Sequence, residues 1–351
     1  MKRFLMILIT VVLLSGLIFV GCAESTQTPA PAAEPAATAL ELSLSYHYAS
    51  KSAVAKQGLE PWAKMIEDES NGQVKIVLHG DATMVGQKDA YEAVETGLVD
   101  MVSFSPEALT GQFPLSEIIT MPKLFPNAEV AGQVHHEIMN KYLLNTEYKN
   151  VKLLLVLPLP PLQLFSTKQV HKIEDLKGMK IRSQGKLDDW MNDAFGATGV
   201  YMPPSEIYTS LERGLIDGIF FVYEGAFAFG FHEITPYKTE CNIYSRAFPV
   251  VMNLNTWNSL SPDLKAIFEK NSTPEISAHY GNMIDQANQY IKHALTGFAK
   301  KAGQEGIYVL PKEEDARWVA TLNPVIEKWV SEMDAKGLPV RPMLEDTRTL
   351  V

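Results

Sequence analysis

Stretches in which every second residue is apolar alternate along this chain with stretches whose apolar residues recur every three or four positions, the spacings of strands and helices. Leu42, Leu44 and Tyr46 alternate with polar neighbours across Leu40 to Tyr46, as in a half-buried strand. Leu59, Trp62, Met65 and Ile66 then set a helical face within Val54 to Ser70, which Asn71-Gly72 closes. Val74 to Leu78 reads as a second strand, Asp89 to Thr96 as a helix stopped by Gly97, and Asp100 to Phe104 as a third strand that exits sharply at Ser105-Pro106. Val151 to Leu157 is a continuous apolar run, the pattern of a strand buried on both faces. Lys180 to Ser183, Gly218 to Tyr223 and Val250 to Leu254 read as further strands, with helices at Leu187 to Phe195 and Ser205 to Arg213, the latter capped by Ser205. A long helix runs from Pro274 to about Ala302, and an amphipathic one from Glu313 to Ala335 precedes a short tail. Short strands alternating with helices predict α/β lobes built on largely parallel sheets.

The N-terminus breaks this pattern. Lys2 and Arg3 precede an apolar run from Phe4 to Val20 that ends at Gly21-Cys22, the layout of an export signal over residues 1–21. The alternative is an uncleaved anchor, since the run is just long enough to span a bilayer. Cys22 after a small residue resembles the bacterial lipoprotein cleavage box, which would make it the lipidated first residue, although Phe19 stands where Leu is usual. Residues 22–39 are rich in Ala and Pro and form a solvated tether. With Cys22 lipidated, Cys241 has no partner for a disulfide and reads as a small packed side chain. What remains exceeds one ordinary core, so two lobes are expected: 40–158 plus 248–285, and 159–247 plus 286–351.

A net charge of −10 argues against nucleic acid as a partner, and any anionic ligand must be met by a few placed basic groups. No complete constellation of catalytic or metal-binding residues occurs. His135-His136-Glu137 has Asn140 where a zinc helix needs its second His, and His232-Glu233 has Pro236 in that place, so both read as solvated helix or loop residues. Asp188-Asp189 and Glu313-Glu314-Asp315 likewise read as solvated charge. No Gly-rich nucleotide loop and no nucleophile elbow is found, so the sequence proposes no reaction and no cofactor. It proposes binding.

Five features carry a resemblance: IEDLKGMKIRSQG over Ile173 to Gly185, FGATGVYMPPSEIYTSLERGLIDGIF over Phe195 to Phe220, AVETGLVDM over Ala93 to Met101 with Gly86 before it, FPLSEIITMPKLF over Phe113 to Phe125, and the lipoprotein-like start. Together they resemble the extracytoplasmic solute-binding proteins of TRAP (tripartite ATP-independent periplasmic) transporters, over essentially all of residues 41–351. The resemblance implies a two-lobed periplasmic-binding-protein-like α/β fold, with a ligand cleft between the lobes and the long helix bracing them. It implies chain crossovers acting as the hinge, near Pro158 to Pro161 and Phe248 to Val250. It also implies capture of an organic acid, with membrane permease subunits of the transporter as partners and membrane contact through the lipid anchor alone. A sensor that presents its closed form to a receptor is the alternative, and a lyase or hydrolase acting on an organic acid the remote one.

The resemblance gives Arg182 the ligand carboxylate. Physics agrees, because a guanidinium at the carboxyl end of an α/β strand offers two parallel hydrogen bonds to a carboxylate at the usual ligand position. It also implies that His47 and Tyr48 reach the cleft opposite Ser103 and Ser105, with Pro204 and Phe221, Tyr223 and Glu224 on the other wall. The family's second arginine falls within Leu159 to Gln163, where this chain has none and Gln163 offers a neutral hydrogen bond. One cation among Phe221, Tyr223, Tyr48 and Phe104 favours a monocarboxylate with an apolar or aromatic body over a C4-dicarboxylate.

Overall fold

The computed structural model describes residues 39–109, 111–301 and 306–351. The leader, Cys22 and the tether through residue 38 lie outside the described residues.

The first lobe is built on β1 (Leu40–Tyr46), β2 (Val74–His79), β3 (Met101–Ser103) and β4 (Val151–Pro158). Its helices are α1 (Glu60–Glu69), entered through a wide helical turn over Val54–Leu59, α2 (Ala90–Thr96) and α3 (Ala128–Ile138). The chain then crosses to β5 (Gln163–Ser166), β6 (Lys180–Ser183), α4 (Lys186–Ala194), β7 (Thr198–Tyr201), α5 (Pro204–Glu212), β8 (Gly218–Phe221), α6 (Tyr223–Ala228), α7 (Phe231–Ile234) and β9 (Tyr237–Glu240). It returns through β10 (Ala247–Asn253), α8 (Leu254–Ser259), α9 (Pro262–Lys270) and α10 (Pro274–Lys301), and ends with β11 (Ile307–Val309), α11 (Lys312–Ala335) and α12 (Val340–Leu350).

Two sheets result, in the orders β2-β1-β3-β10-β4 and β11-β9-β5-β8-β6-β7. Each is mixed rather than largely parallel. β10 runs against both β3 and β4, and β5 against both β8 and β9, because each is the strand that enters from the opposite lobe. The expected two-lobed α/β architecture is present. The crossovers bond to each other: Leu159 N–H donates to the Arg246 carbonyl at 2.7 Å, and Leu162 N–H to that of Tyr244 at 2.8 Å.

Local signals account for most element ends. Gly97 leaves α2 with φ +78°, Asn127 accepts from Val130 N–H at 2.8 Å to start α3, and Ser261 starts α9. α5 begins at Pro204 and not at a Ser205 cap, since proline's fixed φ suits the first helical position. α10, 28 residues and so about 42 Å long, packs on α3 and β4 of the first lobe and on α6 of the second. Gly132 and Gly281 permit the α3–α10 crossing, where a Cβ on Gly281 would stand 2.5 Å from the Ala128 carbonyl oxygen.

Three readings are corrected here. The short tail is helix α12, which lays Val340, Met343, Leu344 and Thr347 against α3 and α11. His135 and His136 are buried and not solvated, since α3 is covered by α10 and α12; burial lowers their pKa to about 3 and about 4, and His136 Nδ1 lies 2.8 Å from Ser277 Oγ. Asp188 is buried as well, held by partners described below.

Candidate functional site

Arg182 sits on β6, aligned with Val200 of β7, and its side chain is 4% exposed. Nε donates to the Met202 carbonyl at 3.1 Å, which fixes the plane of the guanidinium. Nη2 is buried and has no partner among the described residues. Burial, then the neighbouring charge of Arg246, lowers its pKa to about 10, so the group stays cationic at neutral pH. The charges of Asp188 and Glu107 offset only part of the effect of burial, and an anion brought to Nη2 relieves more of that cost.

The cavity beside Arg182 is small, about 40 Å³, less than an open small-ligand site. Its walls come from both lobes and both crossovers. The first lobe gives His47 and Tyr48, just past β1; the crossovers give Leu159, Leu162 and Arg246; the second lobe gives Pro204, Phe221 and Phe229. Tyr48 stacks on Phe248 with ring centres 5.0 Å apart, and His47 meets Phe248 edge-on at 5.3 Å. Tyr48 donates to Ser103 Oγ at 3.1 Å, so Ser103 supports the wall from behind. Ser105 Oγ donates to Glu107 at 2.9 Å and accepts from Gln184 Nε2 at 2.6 Å, joining the first lobe to the second.

Sequence reasoning missed Arg246, which no motif marks. Nη1 donates to Glu107 and Nη2 to Asp188, each at 2.5 Å, and Nη2 also reaches the Tyr244 hydroxyl at 3.3 Å. Burial opposes the charge of Arg246, but Asp188, Tyr244 and Glu107 outweigh it and raise its pKa further. The cavity therefore meets two guanidinium groups, of which one is already neutralised by two carboxylates.

Of the residues expected at the cleft, His47, Tyr48, Arg182, Pro204 and Phe221 line this cavity, and Ser103 and Ser105 lie one bond behind it. Gln163, Tyr223 and Glu224 face elsewhere. The Gln163 amide donates to the Pro161 carbonyl at 2.8 Å and to Asn242 at 2.7 Å, and accepts from the Cys241 and Asn242 N–H groups, so the crossovers consume it. Tyr223 donates to Glu240 at 3.0 Å on the far side of the crossovers. Glu224, with a pKa raised by burial to about 7, accepts from Ala53 N–H of the first lobe at 2.7 Å and borders a separate groove along α10. Phe104 packs with Tyr91, Phe113 and Tyr148 in the first-lobe core. Among the described residues no helix is long and apolar enough to cross a membrane.

The model of bacterial extracellular solute-binding protein family 7, DctP, matches residues 45–332. The C4-dicarboxylate-binding periplasmic protein DctP of Rhodobacter capsulatus is 26% identical over 321 residues, covering 86% of this chain and 94% of its own. A TRAP solute-binding protein from Rhodoferax ferrireducens, solved with copurified benzoate, superposes with a TM-score of 0.83 at 26% identity, covering 89% of this chain and 97% of that one. A TRAP periplasmic solute-binding protein from Bordetella bronchiseptica, with bound (R)- and (S)-mandelate, gives 0.80 at 26% identity, covering 88% and 98%. With a cleft of this build and matches over most of its length, the chain belongs to the DctP family of bacterial extracellular solute-binding proteins, as the periplasmic substrate-binding protein of a TRAP transporter.

Proposed function

We propose that this protein captures a small monocarboxylate with an apolar or aromatic body, grips its carboxylate with Arg182, closes about the two crossovers and hands the acid to the membrane subunits of its transporter. The observation that carries the reading is Arg182 Nη2, a buried guanidinium nitrogen with no partner among the described residues, beside a cavity walled mostly by aromatic and aliphatic side chains. Closure strengthens the pair by excluding water. The benzoate and mandelate of the two similar structures are acids of this class and support it.

The competing ligand is a C4-dicarboxylate, which the Rhodobacter relative's name favours. A second carboxylate would have to take Arg246 from Glu107 and Asp188, leaving two buried acids unpaired, and that cost favours the monoacid. We further propose that the leader is cleaved before Cys22 and that Cys22 carries the lipid; a mass for the mature N-terminal peptide without added acyl chains overturns this. The hinge, expected near Pro158 to Pro161 and Phe248 to Val250, is part of the same proposal.

The test is calorimetric titration with benzoate, mandelate and succinate. Both monoacids bind and succinate binds at least tenfold more weakly. Arg182→Ala loses at least about a hundredfold in monoacid affinity, with the ligand-free melting curve nearly unchanged because no salt bridge is lost. Tight succinate binding, or monoacid affinity retained in Arg182→Ala, contradicts the reading.

A further inference from the structure

Three buried side-chain nitrogens on residues that line the cavity have no partner among the described residues: His47 Nδ1, Arg182 Nη2 and Arg246 Nε. The imidazole nitrogen donates or accepts according to its tautomer, whereas both guanidinium nitrogens carry hydrogens and can only donate. Arg182 Nη2 is assigned above to the ligand carboxylate, which leaves Arg246 Nε to be explained. The rest of that head is engaged: Nη1 donates to Glu107 and Nη2 to Asp188, at 2.5 Å each, so its charge is met and its plane is fixed. The same bonds bring the head beside the strand of Arg182. Asp188 Oδ2 accepts from Arg246 Nη2 at 2.5 Å and from the Gln184 N–H at 2.7 Å, and Gln184 lies two residues past Arg182 at the end of β6. A cavity of about 40 Å³ admits about three water-sized groups, so a carboxylate that enters it lies against both arginines. Other polar groups on its walls are taken: the Tyr48 hydroxyl donates to Ser103 and Gln184 Nε2 to Ser105.

We propose that Arg246 Nε is the second donor to the ligand carboxylate: one oxygen accepts from Arg182 Nη2 and the other from Arg246 Nε, while Arg246 stays bonded to Glu107 and Asp188. The inference rests on Arg182 holding the carboxylate. Arg182 supplies the unmet charge. Arg246, whose charge is already met, supplies direction, because two N–H groups from separate heads fix the plane of a carboxylate as well as its position. One ligand group then satisfies two buried donors that the protein leaves unmet. With Nε spent on the first carboxylate, a second one finds no unclaimed donor at Arg246, which is why one acid group suits this site and two do not.

The test is side-chain nuclear magnetic resonance of the processed protein carrying nitrogen-15 arginine, read at the Nε–H signals with and without saturating benzoate. Arg182 and Arg246 are buried, whereas Arg213, Arg317, Arg341 and Arg348 are exposed, so the two buried Nε–H groups are the ones protected from exchange with water. Arg182→Ala removes one of the two signals and so assigns both. Benzoate moves the Arg246 Nε–H to lower field and slows its exchange, as expected when an unmet N–H gains a carboxylate acceptor. Arg182 Nε, already bonded to the Met202 carbonyl, moves little. Arg246→Lys puts a methylene where Nε stood and keeps a cation for the two acids; it weakens benzoate binding about tenfold or more. If Arg246→Lys does not fold, the wild-type spectra decide. An Arg246 Nε–H that saturating benzoate leaves unmoved, or full affinity in Arg246→Lys, overturns the second donor; the Arg182 reading then stands if Arg182→Ala still loses its affinity. Benzoate affinity retained in Arg182→Ala, or no binding of benzoate and mandelate at all, overturns the Arg182 reading itself and this proposal with it.

Discussion

Arg182 and Arg246 line one cavity with opposite commitments: Arg246 is bonded to Glu107 and Asp188 at 2.5 Å each, whereas Arg182 Nη2 is bonded to nothing among the described residues. Glu107 follows β3 in the first lobe and Asp188 lies on α4 in the second, so Arg246, on the returning crossover, ties both lobes together. One arginine holds the fold and the other is free for an anion.

That division predicts unequal costs. Arg246→Met leaves Glu107 and Asp188 buried without their cation, and equilibrium urea unfolding should show a loss of about 3–5 kcal/mol. Arg182→Ala removes an unpaired charge and one hydrogen bond to Met202, and should change stability by less than about 1 kcal/mol. Comparable losses in the two variants would mean that Arg182 is structural.

The proposed closure requires a bare backbone at Gly185. A Cβ there would lie 2.6 Å from the Glu107 carbonyl oxygen in the opposite lobe, and backbone cannot swing aside as a side chain does. Gly185→Ala should hold the lobes apart at a cost of about 1–3 kcal/mol, roughly five- to hundredfold in affinity. Small-angle scattering with saturating ligand should show a larger radius of gyration than wild type. Gly297→Ala, with nothing within 4 Å of the new methyl, is the control. Unaltered affinity in Gly185→Ala would show that closure does not bring these backbones together.

Glu224 makes stability depend on pH. Burial raises its pKa from 4.5 to about 7, so the folded chain holds the proton more tightly than the unfolded one. The stability this contributes is fully present below 4.5 and is lost as pH rises through 7. Glu224→Gln cannot ionise and keeps an oxygen for the Ala53 N–H. Its stability relative to wild type should therefore rise by about 3 kcal/mol between acid and neutral pH. Glu117 and Glu147, both raised by burial to about 7, act in the same sense, and His47, His135 and His136, lowered to about 4, 3 and 4, in the opposite one. All five are common to both proteins and cancel in the difference. A difference that stays constant with pH contradicts the buried, ionisable Glu224.

Much of this was legible where one residue's neighbours in sequence decide its environment. The alternation in β1, the apolar run of β4 and the helical face of α10 each satisfy a single spacing, and Arg182 stands at the end of a short strand as its pattern implies. The misreadings lie where the partner is remote. Asp188 is bonded to Arg246, and His136 to Ser277, 58 and 141 residues away, so nothing local marks them as buried. Gln163 lies beside the crossover in sequence, but its amide is saturated by the returning chain at Cys241 and Asn242. α12 did carry a signal, apolar residues at 340, 343 and 344, masked by Pro342, which its first turn tolerates.

The most direct test of the account is a crystal structure of the processed protein with mandelate bound. The account predicts the carboxylate within about 3 Å of Arg182 Nη2, the phenyl group against Phe221 and Phe248, and Arg246 still bonded to Glu107 and Asp188. A carboxylate bound to Arg246 in place of those acids, or an acid seated outside this cavity with Arg182 untouched, would contradict it.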